Sequence, residues 1–182
     1  MNKQTQEIIF SSKSAEWETD LIFFNKLNKI FHFTLDPCAT SENALCRKYY
    51  TIAEDGLSQS WQEERVFMNP PYGKEVKDWI KKAYEEGQDP DTLVVCLVPN
   101  RTDTKWMHYY GYKADWIIDI KGRLKFGNRL LSAKLLGEMF YSAPFPSRLI
   151  IYAKNIQKEQ LKELMKIGQV LKPINLNTLE EL

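Results

Sequence analysis

Residues 92–98 read Thr-Leu-Val-Val-Cys-Leu-Val, an unbroken run of strand length with no polar alternation. A strand that is apolar on both of its faces needs cover on both sides. Parallel sheets with helices on each face supply that cover, whereas an antiparallel sheet with one wet face produces alternation. Residues 65–69 form a second apolar strand, ended by Pro70-Pro71. Between the two, residues 74–86 carry Val76, Trp79, Ile80, Ala83 and Tyr84 along one helical stripe, with Gly87 as the stop. Strand, crossover helix and strand form the unit from which a parallel sheet is built.

The rest of the chain extends this pattern. A helix is expected over 20–31, capped by Thr19 or Asp20, with Leu21, Phe24, Leu27 and Phe31 on one face. Residues 33–38 read as a short strand stopped at Pro37, 39–47 as a mixed stretch with a helical turn, and 48–51 as another short strand. A helix over 102–110 ends at Gly111. Strands follow at 116–120 and 149–152, then a helix over 158–167 closed by Gly168. The expectation is an α/β domain with an open, mostly parallel sheet and a C-terminal antiparallel hairpin. At 182 residues the chain reads as a single domain, 1–182, with 1–15 as a polar, flexible arm.

Net charge is only +1, so no whole-chain basic excess announces a polyanion partner. The distribution is uneven. Arg101, Lys105, Lys113, Lys121, Arg123, Lys125, Arg129 and Lys134 fall in one window, opposed by Asp103, Asp115 and Asp119, and the remainder is net acidic. Such an asymmetry can dock nucleic acid on a nearly neutral protein. Around residues 122–127, Arg123 and Lys125 share one strand face and Leu124 and Phe126 the other. Solvated cations on a strand face would produce the same pattern without any partner.

Cys38, Cys46 and Cys96 form no C-x-x-C pair, and His32 and His108 stand far apart, so no metal-ligand spacing occurs. Sparse, odd cysteines suit a reducing cytoplasm. The polar N-terminus lacks a signal-peptide core, and the longest aliphatic run, 93–98, is too short to span a bilayer. The expectation is a cytoplasmic protein without metal or membrane partner. The pattern assigns no oligomeric state.

The sharpest chemical signal is Asn69-Pro70-Pro71-Tyr72-Gly73, placed directly after a buried strand. Ligands of open α/β sheets bind at the carboxyl ends of strands. Each proline forces its predecessor into an extended conformation, so the turn is stiff before any ligand arrives. Neither proline has an N–H. The segment therefore presents acceptors, the Asn69 side-chain oxygen and the Pro70 carbonyl, suited to holding an –NH₂ group. Tyr72 offers a flat face for a planar ring. A conjugated amino group is a poor nucleophile, and holding its two hydrogens shifts it toward a tetrahedral nitrogen that can attack a methyl donor. Positioning and fixed dipoles supply such catalysis. A Pro-Pro pair by itself is commonly only a rigid cap on a strand.

A dinucleotide fingerprint is absent: no G-x-G occurs. In its place stands Leu35-Asp36-Pro37-Cys38-Ala39-Thr40, small residues after an acidic strand end. Asp36 could meet an ammonium group, or it could simply precede a turn. Asp55, in Asp55-Gly56-Leu57, could accept from an adenine amino group, or belong to a plain Asp-Gly turn.

Taken in order, these stretches resemble the phage- and prophage-type DNA N6-adenine methyltransferases of the Dam family. The resemblance runs from Glu16 to Ala153. Besides the motifs above it rests on Glu16-Trp17-Glu18-Thr19, Trp61, Val98-Pro99 with Arg101-Thr102-Asp103-Thr104, Gly122 through Gly127, and Ala143-Pro144-Phe145-Pro146-Ser147. It implies a Rossmann-like class I methyltransferase fold, S-adenosylmethionine as cofactor and double-stranded DNA as partner in a bacterial cytoplasm. It implies cofactor contacts at Trp17, Thr19, Asp36, Pro37, Cys38, Ala39 and Asp55, and catalysis by Asn69, Pro70 and Tyr72. Pro71, Arg101, Arg123, Lys125 and Arg129 are expected to meet the substrate. Asp20 stands where proline is expected, which would loosen the entry to the first helix, and Asn100 stands where alanine is expected. Protein glutamine and RNA adenine are alternative acceptors for the same Asn-Pro-Pro-Tyr chemistry. A catalytically silent DNA-binding protein is a further alternative.

Overall fold

The computed structural model describes residues 17–127 and 140–174. The central sheet has seven strands. In chain order its strands are β2 (Leu35–Asp36), β3 (Lys48–Tyr49), β4 (Arg65–Met68), β5 (Leu93–Pro99), β6 (Trp116–Ile120), β9 (Ser147–Tyr152) and β10 (Gly168–Leu171). A separate three-stranded sheet joins β1 (Glu18–Thr19), β7 (Lys125–Gly127) and β8 (Phe140–Ser142) in the order β1-β7-β8, with both pairings antiparallel. The helices are α1 (Leu21–Phe31), α2 (Val76–Glu86), α3 (Lys105–Tyr109) and α4 (Lys158–Ile167).

All of β5 is buried, as its composition demands. Leu93, Val95 and Leu97 enter one core with Phe23, Phe24, Leu27 and Phe31 of α1 and Leu164 of α4. Val94, Cys96 and Val98 enter the other with Val76, Trp79, Ile80 and Ala83 of α2 and Met107 of α3. The period-two alternation of a strand thus feeds two apolar layers. Gly87 ends α2 for a packing reason: a Cβ there would lie 2.4 Å from Cβ of Tyr152.

Five strands of the central sheet, β2 to β6, run in one direction, and β9 and β10 run against them. The sheet order is β10-β6-β9-β5-β4-β2-β3. The β2–β3, β2–β4 and β4–β5 pairings are parallel, and β5–β9, β6–β9 and β6–β10 are antiparallel. The chain leaves β6, builds the small sheet, and returns with β9 inserted between β5 and β6. β9 is antiparallel to both of its neighbours. The two strands expected near the C-terminal end, 116–120 and 149–152, are β6 and β9; they pair antiparallel, with β7 and β8 between them in the chain. Gly168, expected only to close the last helix, also begins β10.

Other differences are local. The helical turn expected within 39–47 is a single turn, closed by the Ala44 N–H donating to the Thr40 carbonyl at 3.0 Å, and the helix expected over 102–110 is confined to α3. Asp20 does not loosen the entry to α1. Its side chain accepts from the Ile22 N–H at 3.2 Å and caps the helix. Among the described residues, no helix is long and apolar enough to cross a membrane.

Candidate active site

β2, β4 and β5 run in one direction, so Asp36, Asn69 and Asn100 arrive at the same edge of the sheet. A cavity of about 460 Å³ opens there, within the range of roughly 300–1,000 Å³ usual for small-molecule sites. Its wall brings together residues scattered in sequence: Trp17 and Thr19, the run Asp36 to Ala39, Asp55, and Asn69 to Pro71. Leu57, Phe67 and Trp79 add apolar surface. Trp79 reads in the sequence as a core residue; it packs on Trp61 with 6.2 Å between ring centroids and also reaches the cavity.

Asp36 is only 6% exposed. Its carboxylate accepts from the Leu45 N–H at 3.2 Å and more weakly from the Cys38 N–H at 3.4 Å. It forms no ion pair among the described residues. Burial dominates these two hydrogen bonds and pushes its pKa up to about 6. A buried carboxylate lining a cavity without a counter-charge is a site that favours a cation. Burial likewise raises the Cys38 thiol well above its usual range, helped by the nearby Asp36 charge, so the thiol stays protonated.

Asp55 enters the wall from a tight turn. Its φ of 52° is left-handed, a region that Asp tolerates better than most residues. Its carboxylate accepts from the Leu57 N–H at 3.3 Å. The following residue must be glycine: a Cβ on Gly56 would sit 1.9 Å from the Pro37 carbonyl oxygen. The Trp61 indole N–H donates to the Gly56 carbonyl at 2.9 Å. The Asp55 turn is thereby locked against the Asp36 turn.

Asn69 is held from outside its own strand. Its Nδ2 donates to the Trp17 carbonyl at 2.6 Å and to Thr19 Oγ1 at 2.9 Å. A carbonyl can only accept, so the nitrogen of the amide must face it. That fixes the other end: Asn69 Oδ1 is buried and has no hydrogen-bond partner among the described residues. A buried acceptor without a partner is costly and calls for an explanation.

Tyr72 lies outside the cavity wall. Its hydroxyl donates to the Leu97 carbonyl at 3.3 Å, and burial raises its pKa well above the ordinary phenol value. The ring packs edge-on against Phe126 and Phe145, at 6.2 and 5.6 Å between centroids. Trp17 meets the same two phenylalanines at 5.7 and 5.3 Å. Neither Phe126 nor Phe145 stands out in the sequence as a site residue. The signal for Phe145 was the Ala-Pro-Phe-Pro-Ser stretch, which carries no assigned role there.

Arg101, Arg123 and Lys125 are exposed; the strand expected over 122–127 is confined to β7, where Lys125 is exposed and Phe126 buried. Acids in the same window are engaged elsewhere. Asp119 accepts from Arg148 at 2.7 Å and from Asn100 at 3.1 Å, and Asp115 faces Lys154 at 3.9 Å. Arg101, Arg123 and Lys125 have no ion pair among the described residues. Arg129 and the rest of 128–139 lie outside the described residues. Among the described residues, no group of three or more His, Cys, Asp or Glu could hold a metal.

Comparison with known proteins decides the lineage. The family model described as DNA N-6-adenine-methyltransferase (Dam) matches residues 8–171. The chain belongs to the Dam family. The DNA N-6-adenine-methyltransferase of Escherichia phage T1 is 30% identical over 93 residues, covering 50% of this chain and 38% of that protein. The protein of the same description from Haemophilus phage HP1 (strain HP1c1) is 28% identical over 92 residues, covering 50% of this chain and 53% of that protein. YfdM of Escherichia coli (strain K12) is 32% identical over 78 residues, 39% of this chain and 84% of that protein. The match therefore covers less than two thirds of either phage relative.

Proposed function

We propose that this Dam-family chain is an S-adenosylmethionine-dependent methyltransferase acting on the exocyclic amino nitrogen of adenine in double-stranded DNA, on a Rossmann-like class I scaffold. The observation that carries the reading is the buried, unpartnered Oδ1 of Asn69, beside the cavity wall, with its amide nitrogen already engaged. A hydrogen-bond acceptor fixed in this way fits an –NH₂ group.

The cavity fits the cofactor on its own chemistry. Asp36 supplies the negative charge that an amino-acid ammonium needs, Asp55 an acceptor on another part of the wall, and Leu57, Phe67 and Trp79 the apolar surface. S-adenosylmethionine, when bound, supplies a sulfonium methyl group open to in-line attack by a nitrogen. Asn69 Oδ1 and the Pro70 carbonyl accept the two hydrogens of the adenine amino group and hold its lone pair out of conjugation. Asn69 is neutral and cannot serve as a base, so the proton leaves after methyl transfer. Tyr72, with Phe126 and Phe145 around it, provides aromatic surface for a base taken out of the helix stack. Arg101, Arg123 and Lys125, exposed and without an ion pair among the described residues, favour a polyanionic acceptor over a glutamine side chain. A bacterial DNA substrate fits the cytoplasmic location expected from the sequence.

The test is methyl transfer from labelled S-adenosylmethionine to unmethylated duplex DNA, to RNA and to a glutamine-containing peptide. Label in duplex DNA, recovered as N6-methyladenine, is the expected result. Label confined to RNA or peptide would overturn the substrate, and absence of transfer with cofactor bound would overturn the enzyme reading.

A further inference from the structure

From the two bonds that hold the Asn69 amide, and resting on the reading of Asn69 given above, we infer that Thr19 is a positioning residue for methyl transfer: its hydroxyl keeps the Asn69 oxygen turned toward the substrate amino group. Thr19 is 6% exposed, and its Oγ1 accepts from Asn69 Nδ2 at 2.9 Å. The contact joins residues fifty positions apart, so it is made by the fold and not by the local turn. β1 brings it there. Thr19 pairs with Phe126 and Glu18 with Gly127, which anchors this two-residue strand to the small sheet.

The chemistry depends on which end of the amide faces the substrate. An amide turned by 180° presents two N–H donors to an amino group that is itself a donor, and the acceptor that grips the substrate is lost. Two acceptors oppose the turn, the Trp17 carbonyl and the Thr19 hydroxyl. The carbonyl belongs to the backbone and survives any substitution. The hydroxyl is the only one of the pair that mutation can remove. Pro70 stiffens the backbone of Asn69 but does not restrain rotation of its side-chain amide. The side chain of residue 19 therefore acts on an angle that the Asn-Pro-Pro-Tyr turn leaves free.

Thr19→Val keeps the β-branched shape and removes the acceptor, while Thr19→Ser keeps the acceptor and removes a methyl group. Single-turnover methyl transfer to unmethylated bacterial genomic DNA, at saturating S-adenosylmethionine and DNA, separates the two. The valine variant is expected to lose about tenfold in rate, the scale of one hydrogen bond, with cofactor Kd changed less than twofold. The serine variant is expected to recover most of that rate. A native rate in Thr19→Val, equal losses in Val and Ser, or a loss residing only in cofactor Kd would each overturn the proposal. Should the valine variant fail to fold, judged by thermal melting, Thr19→Ala against Thr19→Ser poses the same question with the same outcomes. Asn69→Ala run alongside separates the two levels. Activity retained there defeats the reading of Asn69 itself, whereas an inactive Asn69→Ala with a native Thr19→Val defeats only the role of Thr19.

Discussion

β2 and β4 are neighbours, run in the same direction, and end in the same kind of dipeptide, Asp36-Pro37 in one and Asn69-Pro70 in the other. Both side chains reach the same cavity wall. Their surroundings differ. Asp36 is charged when ionised, is buried, and among the described residues is held by two N–H groups from the loop that follows it. Asn69 is neutral and is held through its donor end by a strand from a different sheet. The first arrangement leaves an unmet demand for positive charge. The second leaves an unmet demand for a hydrogen-bond donor in one fixed direction. Two strand ends with nearly the same sequence thus suit different halves of one reaction: binding a cationic donor, and orienting an amino acceptor.

The comparison breaks most visibly if the two positions can be exchanged in effect. Asn69→Ala is expected to lower methyl transfer by about 10²–10³-fold, the scale of removing a preorganised polar group from a reacting centre. Cofactor affinity should change only a few-fold, which calorimetry on the purified protein would measure. A loss of cofactor affinity matching the loss of rate would place Asn69 in the same role as Asp36.

Asp36→Asn is expected to do the reverse, weakening S-adenosylmethionine binding by roughly 10–100-fold, as for loss of a hydrogen bond to a charged group. It should also stabilise the fold above pH 6. Below about pH 4 the carboxyl is protonated in both folded and unfolded chains and contributes no difference. Between about pH 4 and pH 6 the unfolded chain ionises while the folded one, with its pKa near 6, holds the proton, so stability falls as pH rises. Above pH 6 the loss is complete, about 3 kcal/mol at most. Urea unfolding of both proteins at pH 5 and pH 7.5 checks this. A difference between variant and native that does not grow with pH would mean that Asp36 is not a strained acid.

How much of this contrast could be read from the sequence depends on the distance between the interacting residues. The non-alternating run of β5 announced burial on both faces, and the α2 stripe announced which residues would meet it. Both are local patterns with a fixed period. Asn69, Pro70 and Asp36 were legible because proline acts on its immediate neighbour. The hold on Asn69 was not, since it comes from Thr19, on a strand of two residues with no period to detect. β10 was hidden by its glycine start and its polar alternation on a sheet edge. Tyr72 shows the limit most plainly: its motif suggested a stacking face, but the phenylalanines that meet its ring edge-on, Phe126 and Phe145, lie on distant segments with no pattern linking them to it.

Gly56→Ala sharpens the comparison from the cofactor side alone. The added Cβ would fall 1.9 Å from the Pro37 carbonyl, a backbone atom that cannot rotate away. The Asp55 and Asp36 turns must separate, at a cost of about 1–3 kcal/mol in stability, typical of overpacking. Cofactor affinity should drop with it. The Asn69 amide should keep its place, because its anchors are Trp17 and, in β1, Thr19. A variant that binds cofactor poorly yet reaches a near-native single-turnover rate at saturating cofactor would show that the two strand ends act separately. A rate lost even at saturation would show that they move as one.

The smallest expected effect per residue lies at the rim, where the small sheet anchors β1. Lys125 begins β7, which pairs through Phe126 and Gly127 with the strand holding Asn69, and Arg123 lies two residues before it; both are exposed. If both meet phosphates, each binding event releases the counterions those phosphates carried, and affinity falls with salt in proportion to the contacts made. Replacing both by alanine should then weaken duplex binding similarly for all sequences and flatten the plot of log K against log salt by up to about two units. The single-turnover rate at saturating DNA should stay close to native, since neither residue lines the cavity. An unchanged slope would place the duplex on another surface and leave Arg123 and Lys125 as solvated cations. A flattened slope accompanied by a lost rate at saturation would show that the rim, through β7 and β1, also sets the Asn69 amide.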